Sequence, residues 1–228
     1  MDNKKIIISL GGSLVVPEGI DTEYIKSFVP FVKKYVNDGY SFLLIIGGGK
    51  MARNYGDALR KVTNPTNTDL DWLGIAITKA NAEFVRICFE DLAYERIIQD
   101  PECIPQTKKS VIVGGGWKPG NSSDLAAVRA AKSIGARRVI NLTNIDYVYD
   151  SDPNKNPNAK PIENISWLDF LLLFPDNNWT PGSNRPFDPI ASCEAKTNEQ
   201  EVVILNGRDL ENLGNCLEGK TFKGTTIK

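Results

Sequence analysis

Ser41-Phe42-Leu43-Leu44-Ile45-Ile46-Gly47-Gly48-Gly49-Lys50 is an apolar run that stops at a glycine triplet. Five consecutive apolar residues without polar alternation describe a strand buried on both faces, as in a parallel sheet. The glycine triplet ends that strand, and a helix from about Lys50 to Arg60 follows. The unit is strand, glycine turn, helix, and the chain holds two more strand-to-glycine units. Upstream, Ile6-Ile7-Ile8 with Leu10 runs into Gly11-Gly12. Downstream, Val111-Ile112-Val113 runs into Gly114-Gly115-Gly116.

The segments between these units fit the same plan. Tyr24, Ile25, Phe28, Phe31, Val32 and Tyr35 fall at helical spacing over 22–36, with Asp21 or Thr22 as the opening cap and Asp38-Gly39 as the stop. Residues 69–90 read as a longer helix with Leu73, Ile77, Ala80, Phe84, Ile87 and Cys88 on one face. A helix from Ser122 to Ile134, a strand at 139–142, a strand at 202–205, a helix around 209–217 and a strand at 225–227 complete the pattern. Strands alternating with helices predict an α/β fold, a largely parallel central sheet with helices on both faces. At 228 residues, one domain over 1–228 is expected. Ligands in such sheets sit beyond the carboxyl ends of the strands, so all three glycine turns would face one binding edge. The proline- and asparagine-rich stretch 174–189 reads as a long irregular loop. Trp72, Trp167 and Trp179 are expected to pack.

Composition removes several function classes. The sequence has no histidine, so Ser-His-Asp and Cys-His nucleophilic sites and His-ligated zinc are excluded. Cys88, Cys103, Cys193 and Cys216 lie far apart with no CxxC spacing, which favours free thiols in a reducing compartment over a disulfide. With 27 basic and 28 acidic residues, neither a nucleic-acid partner nor a polybasic membrane contact is indicated. The apolar run after Met1 is too short for a signal segment, and none approaches the ~20 residues of a membrane span. The expected address is the cytoplasm.

A glycine turn leading from a buried strand into a helix directs backbone N–H groups towards the positive end of the helix dipole, where an anion binds. A single such turn is weak evidence, because glycine at a strand end is more often a tight turn. Neither G-x-G-x-x-G nor G-x-x-x-x-G-K-[ST] stands at these turns. Three turns on one edge point towards a polyphosphate.

The segments also form an ordered series of motifs. Ser9-Leu10-Gly11-Gly12-Ser13-Leu14-Val15 resembles the first glycine turn of the amino-acid-kinase family. Gly47-Gly48-Gly49-Lys50-Met51-Ala52-Arg53-Asn54-Tyr55 resembles the GGGKxARxY segment of its archaeal-type uridylate (UMP) kinases. Asp71 to Ala82 follows their D-x-x-G-x-x-x-T-x-x-N-A pattern, and Gly115 to Asp124 their GGxxPGxTTD, with serine for threonine twice. Thr143 to Pro153 resembles TNVDGVYxxDP, and Asp188-Pro189-Ile190-Ala191 and Gly224-Thr225-Thr226-Ile227 fit as well.

The resemblance implies a three-layer sandwich, with 1–135 approximately the phosphate-acceptor lobe and 136–228 approximately the ATP-binding lobe. It implies transfer of the γ-phosphoryl of ATP to UMP with Mg²⁺, chemistry that needs positioning and charge neutralisation more than a nucleophilic side chain. Gly11 and Gly12 would cradle the transferred phosphate, Gly48 would approach UMP, and Gly49 with Arg53 the ATP phosphates. Asp71 would accept from the ribose hydroxyls of UMP. The loop Trp117, Lys118, Pro119, Gly120, Asn121, Ser122 and Ser123 would wrap its uracil and phosphate. Asp124 would organise the reacting groups or the metal, and with Gly12 and Arg53 is assigned to catalysis. Thr143, Tyr149 and Asp152 would bind the base and ribose side of ATP. No protein metal-ligand set is assigned, and a homo-oligomer (dimer or hexamer) is implied.

Plainer readings stand beside these: a solvated helix residue for Arg53, a helix N-cap for Asp71, a dipole partner for Asp124 and a core residue for Tyr149. Two positions depart from the family. Ser9 stands where many members carry lysine, leaving Lys50, Lys118 or Arg53 to supply the charge. Tyr147 stands where the family has glycine, and would be strained if a positive φ were needed. These departures keep two alternatives open: a kinase of another small acceptor, or a non-turnover protein binding nucleotide or storing molybdate or tungstate.

Overall fold

Lys5–Leu10 forms β1, and its five residues from Ile6 onward are all buried. Ile6, Ile8 and Leu10 enter one hydrophobic core and Ile7 the other, so the strand is covered on both faces. This computed structural model describes residues 4–153, 155–175 and 185–228. The chain continues through α1 (Gly12–Val15), α2 (Thr22–Asn37), β2 (Ser41–Ile46), α3 (Gly49–Val62), α4 (Asn67–Cys88), a 3₁₀ turn (Glu90–Leu92) and β3 (Val111–Gly114). It goes on through α5 (Ser123–Ser133), β4 (Arg138–Thr143), β5 (Val148–Tyr149), β6 (Pro161–Ile162), β7 (Asn164–Ile165) and α6 (Trp167–Leu173). The last elements are α7 (Pro189–Thr197), β8 (Glu201–Asn206), α8 (Leu210–Leu217) and β9 (Thr225–Ile227).

Seven strands make one sheet in the order β3-β2-β1-β4-β8-β9-β7, and β5 with β6 forms a small antiparallel ribbon. The five strands from β3 to β8 are parallel; β9 runs antiparallel to β8, and β7 parallel to β9. The largely parallel sheet expected from the apolar runs is therefore observed. One face packs on residues of α1, α2, α4 and α8, the other on residues of α5, α6 and α7, giving three layers. The sheet is continuous across residue 135, because β1 pairs with β4.

Several local readings need correction. The long helix starts at Asn67 and not 69, because Thr66 and Asp69 form a reciprocal capping box. Asp71 therefore lies inside that helix and caps nothing. Trp72, expected to pack, is 52% exposed. Trp167 does pack, donating its indole N–H to the Gln200 carbonyl at 2.8 Å, whereas Trp179 lies outside the described residues. Helices α6 and α7 are not evident from the sequence; α7 begins at Pro189, capped by Asp188, and of the stretch 174–189 expected as a loop, residues 176–184 lie outside the described residues. All four cysteines are free, and among the described residues no helix is long and apolar enough to cross a membrane.

Candidate functional site

The carboxyl ends of β1, β2 and β3 lie side by side, and the glycine turns leaving the first two interlock. Gly11 N–H donates to the Leu142 carbonyl at 2.8 Å, tying the first turn to β4. A Cβ on Gly12 would stand 2.0 Å from the Gly49 nitrogen, and one on Gly49 would stand 2.3 Å from the Gly12 oxygen. Gly49 also has φ +63°, a conformation costly for any other residue. Only two glycines permit this backbone-to-backbone contact. The N–H groups of Gly12, Gly48 and Gly49 have no hydrogen-bond partner among the described residues. Three free amides at adjoining helix starts form a cradle for an anion.

Helix α4 braces the rest. Asp71, Thr78 and Asn81 recur at a spacing that keeps them on one helix face. The Asn81 amide is buried and donates to the Gly47 carbonyl at 3.0 Å and the Gly48 carbonyl at 3.3 Å. Thr78 Oγ1 accepts from Gly116 N–H at 2.7 Å, and Asp71 Oδ2 accepts from Gly120 N–H at 2.7 Å. One helix thus holds the second turn, the third turn and the loop 117–123. Thr78 and Asn81 belong to the D-x-x-G-x-x-x-T-x-x-N-A motif, and their shared helix face with Asp71 is the one sequence signal of these bracing roles.

Ser9, the residue before the first turn, is fully buried and donates to Asp124 Oδ1 at 2.8 Å. Ser122 caps α5 by accepting from Leu125 N–H at 3.1 Å, which places Asp124 in the first turn of that helix. Asp124 Oδ2 accepts from the Asp188 amide at 3.2 Å, and Asp188 Oδ1 accepts from Ala191 N–H at 2.7 Å as the cap of α7. The other Asp188 oxygen, Oδ2, is buried with no hydrogen-bond partner among the described residues. Burial pushes the Asp124 carboxyl up to about 6, the neighbouring Asp188 adds to the rise, and the Ser9 hydroxyl and Asp188 amide oppose it. Burial also raises Asp188, tempered chiefly by the amides of Ala191 and Ile190. Two acids reluctant to ionise together thus lie beside the first turn, and Asp124 is more than a dipole partner. Asp188 stands in a motif with no role legible from the sequence, because its contact with Asp124 joins residues 64 apart in the chain.

The remaining expected residues divide. Arg53, in the second turn of α3, is exposed, and Lys50 is half-buried; neither side chain has a polar partner among the described residues. In the loop 117–123, the Lys118 ammonium stands 3.7 Å from the Trp117 ring centre. Asn121 donates to the Pro119 carbonyl at 3.1 Å, and Ser123 begins α5. Thr143 ends β4, Tyr149 lies on β5 and Asp152 on the exposed loop beyond it, all on the β4 side of β1. Tyr147 packs edge-on against Tyr149 at 6.5 Å and does not adopt a positive φ, so tyrosine carries no backbone strain there.

Comparison with known proteins matches residues 4–206 to the model of the amino acid kinase family. The chain belongs to that family. Among its relatives, uridylate kinase of Pyrococcus abyssi is 31% identical over 226 residues, covering 98% of this chain and 99% of the relative. Uridylate kinase of Thermoplasma acidophilum is 32% identical over 229 residues, covering 99% and 97%. The crystal structure of uridylate kinase from Archaeoglobus fulgidus superposes with a TM-score of 0.82 at 27% identity, over 99% of this chain and 100% of that one. UMP kinase from Ureaplasma parvum, 20% identical with a TM-score of 0.78, shares the fold.

Proposed function

We propose that this amino acid kinase transfers the γ-phosphoryl group of ATP to UMP, giving UDP, with Mg²⁺ present. The observation that carries the reading is the cradle of free amides on Gly12, Gly48 and Gly49, with a second, Asp71-anchored loop beside it. Its relatives are uridylate kinases over nearly their full length.

In this reading, residues 1–135 supply the acceptor lobe and 136–228 the ATP lobe. Gly12 and Gly49 present backbone N–H groups to the phosphates of ATP, Gly11 allows close backbone approach beside them, and the unpaired Arg53 guanidinium swings onto them as a fork-shaped donor. Gly48 approaches UMP. Asp71 holds Gly120 with one carboxylate oxygen, leaving the other for a ribose hydroxyl. Trp117, Lys118, Pro119, Gly120, Asn121, Ser122 and Ser123 surround the uracil and phosphate. Thr143, Tyr149 and Asp152 receive the adenosine side.

Asp124 orients the reacting groups through Ser9 and the first turn. Lys50, half-buried at the start of α3, supplies the positive charge that Ser9 lacks. Mg²⁺ keeps several waters and takes one or two carboxylates plus substrate phosphates, so a single well-placed carboxylate suffices. Asp124, with the orphaned oxygen of Asp188 nearby, is the carboxylate that would hold it; the ion would neutralise developing phosphate charge. We place the enzyme in the cytoplasm as a homo-oligomer. In support, α3 buries only Gly56, and Tyr55, Val62 and Trp72 are left exposed on α3 and α4 for a second copy to cover.

The test is ADP formation with ATP and Mg²⁺ across UMP, CMP, dUMP and no acceptor. UMP-dependent ADP release supports the reading. ATP binding without ADP release from any acceptor would replace it with a non-turnover binding protein.

A further inference from the structure

Arg129 sits on α5, and its guanidinium gathers four groups from separate parts of the chain. Its Nε lies 3.1 Å and 3.0 Å from the two carboxylate oxygens of Glu194 on α7. One terminal nitrogen donates to Asn121 Oδ1 at 3.1 Å, and the same nitrogen is 3.7 Å from Glu102 Oε1. The guanidinium carbon stands 5.3 Å from the centre of the Trp117 ring. Both Arg129 and Glu194 side chains are only 22% exposed, so solvent competes weakly for these contacts. Helix α7 is itself fixed, because its capping residue Asp188 donates to Asp124.

Trp117 and Asn121 stand near the two ends of the loop that carries Lys118, Pro119 and Gly120. Helix α4 holds that loop at Gly120 through Asp71. Arg129 is the second attachment, and it reaches both ends at once. A planar guanidinium can stack on an indole while donating in its own plane to a carboxylate and an amide oxygen; an ammonium cannot do both.

We propose that Arg129 is the positioning residue of the loop 117–121, anchored by Glu194, and that it sets affinity for the acceptor without touching it. The proposal rests on the reading that this loop receives the acceptor nucleotide. Arg129 also neutralises Glu194 and Glu102. Its removal therefore has two consequences, a released loop and uncompensated carboxylates near an incoming phosphate, and the variants must separate them.

The experiment compares the full-length wild type with Arg129→Lys, Arg129→Met and the double variant Arg129→Met with Glu194→Gln. Amide hydrogen exchange is measured over 117–122, and KM for UMP, KM for ATP and kcat are measured by ADP release. Losing a charge-assisted hydrogen bond shifts an equilibrium by about tenfold or more. Arg129→Met is therefore expected to speed exchange in the loop by about tenfold and raise KM for UMP by a similar factor. KM for ATP and exchange in the core of α5 stay close to wild type. The double variant keeps both defects, because it restores charge balance and not the attachment. Arg129→Lys, which keeps the charge and disturbs folding least, shows a smaller defect of the same kind.

Unchanged loop exchange in Arg129→Met would overturn the proposal. So would KM values for UMP and ATP rising together, or full recovery of KM in the double variant, which would assign the effect to charge alone. If the wild type does not phosphorylate UMP, the functional reading fails, and the exchange measurement alone still decides whether Arg129 fixes the loop.

Discussion

Replacing Asp124 with asparagine should stabilise the protein while impairing the reaction. The folded state raises this carboxyl from 3.8 to about 6, chiefly by burial and then by the neighbouring Asp188. A rise of about two units corresponds to about 3 kcal/mol at about 1.4 kcal/mol per unit. The folded protein binds this proton more tightly than the unfolded chain. The stabilisation is therefore full below about pH 4 and is lost as pH rises through about 6. At pH 7.5 the wild type carries the whole cost of the ionised group and the Asn variant none of it. Asparagine can still accept from Ser9, but its amide meets the Asp188 N–H donor less well than a carboxylate oxygen does. A net gain of about 1–2 kcal/mol remains, equivalent to a Tm increase of about 2–8 °C in a domain of this size. The assay is thermal unfolding of both proteins at pH 7.5 and pH 5.0. A positive difference at pH 7.5 that shrinks at pH 5.0 is expected, together with a kcat about 10²–10³-fold lower. A variant less stable than wild type at pH 7.5, or a difference independent of pH, would show that ionising Asp124 does not burden the folded state.

Other substitutions probe separate parts of the site. Gly12→Ala drives a methyl group into the Gly49 backbone nitrogen; it should cost at least about 3 kcal/mol, read as a lower urea midpoint, and abolish activity. Asp71→Ala removes the acceptor of Gly120 N–H and should raise KM for UMP about tenfold or more while leaving KM for ATP near wild type. Ser9→Ala removes the hydroxyl that favours ionised Asp124. The acidic limb of the pH–rate profile should therefore move to higher pH; an unmoved limb would separate Ser9 from the titration.

The parallel sheet was legible because its strands are buried on both faces, which forces unbroken apolar runs such as Ile6–Ile8 and Phe42–Ile46. The glycine turns were legible as motifs, and interlocking of Gly12 with Gly49 gives the physical reason for glycine at both. Periodicity could not reveal α7, because a proline at its first helical position, which suits a helix start, follows a stretch dense in loop residues. Trp72 was misread because an aromatic residue on an amphipathic helix ordinarily packs inward; here it projects outward from α4. The link from Asp124 to Asp188 and the four-way contact of Arg129 join residues far apart in the chain, and no local pattern encodes such contacts. Tyr147 shows the converse: the feared strain depended on a backbone angle that the chain does not adopt at that position.

The interlocked glycine turns are proposed to hold phosphoryl transfer from ATP to UMP. Phosphorus NMR of the protein with ATP, Mg²⁺ and UMP follows that transfer directly. Loss of the ATP γ signal matched by growth of the β-phosphoryl signal of UDP is the predicted result, absent in Gly12→Ala. Unchanged ATP and UMP signals with folded, nucleotide-bound protein, or release of inorganic phosphate without UDP, would contradict it.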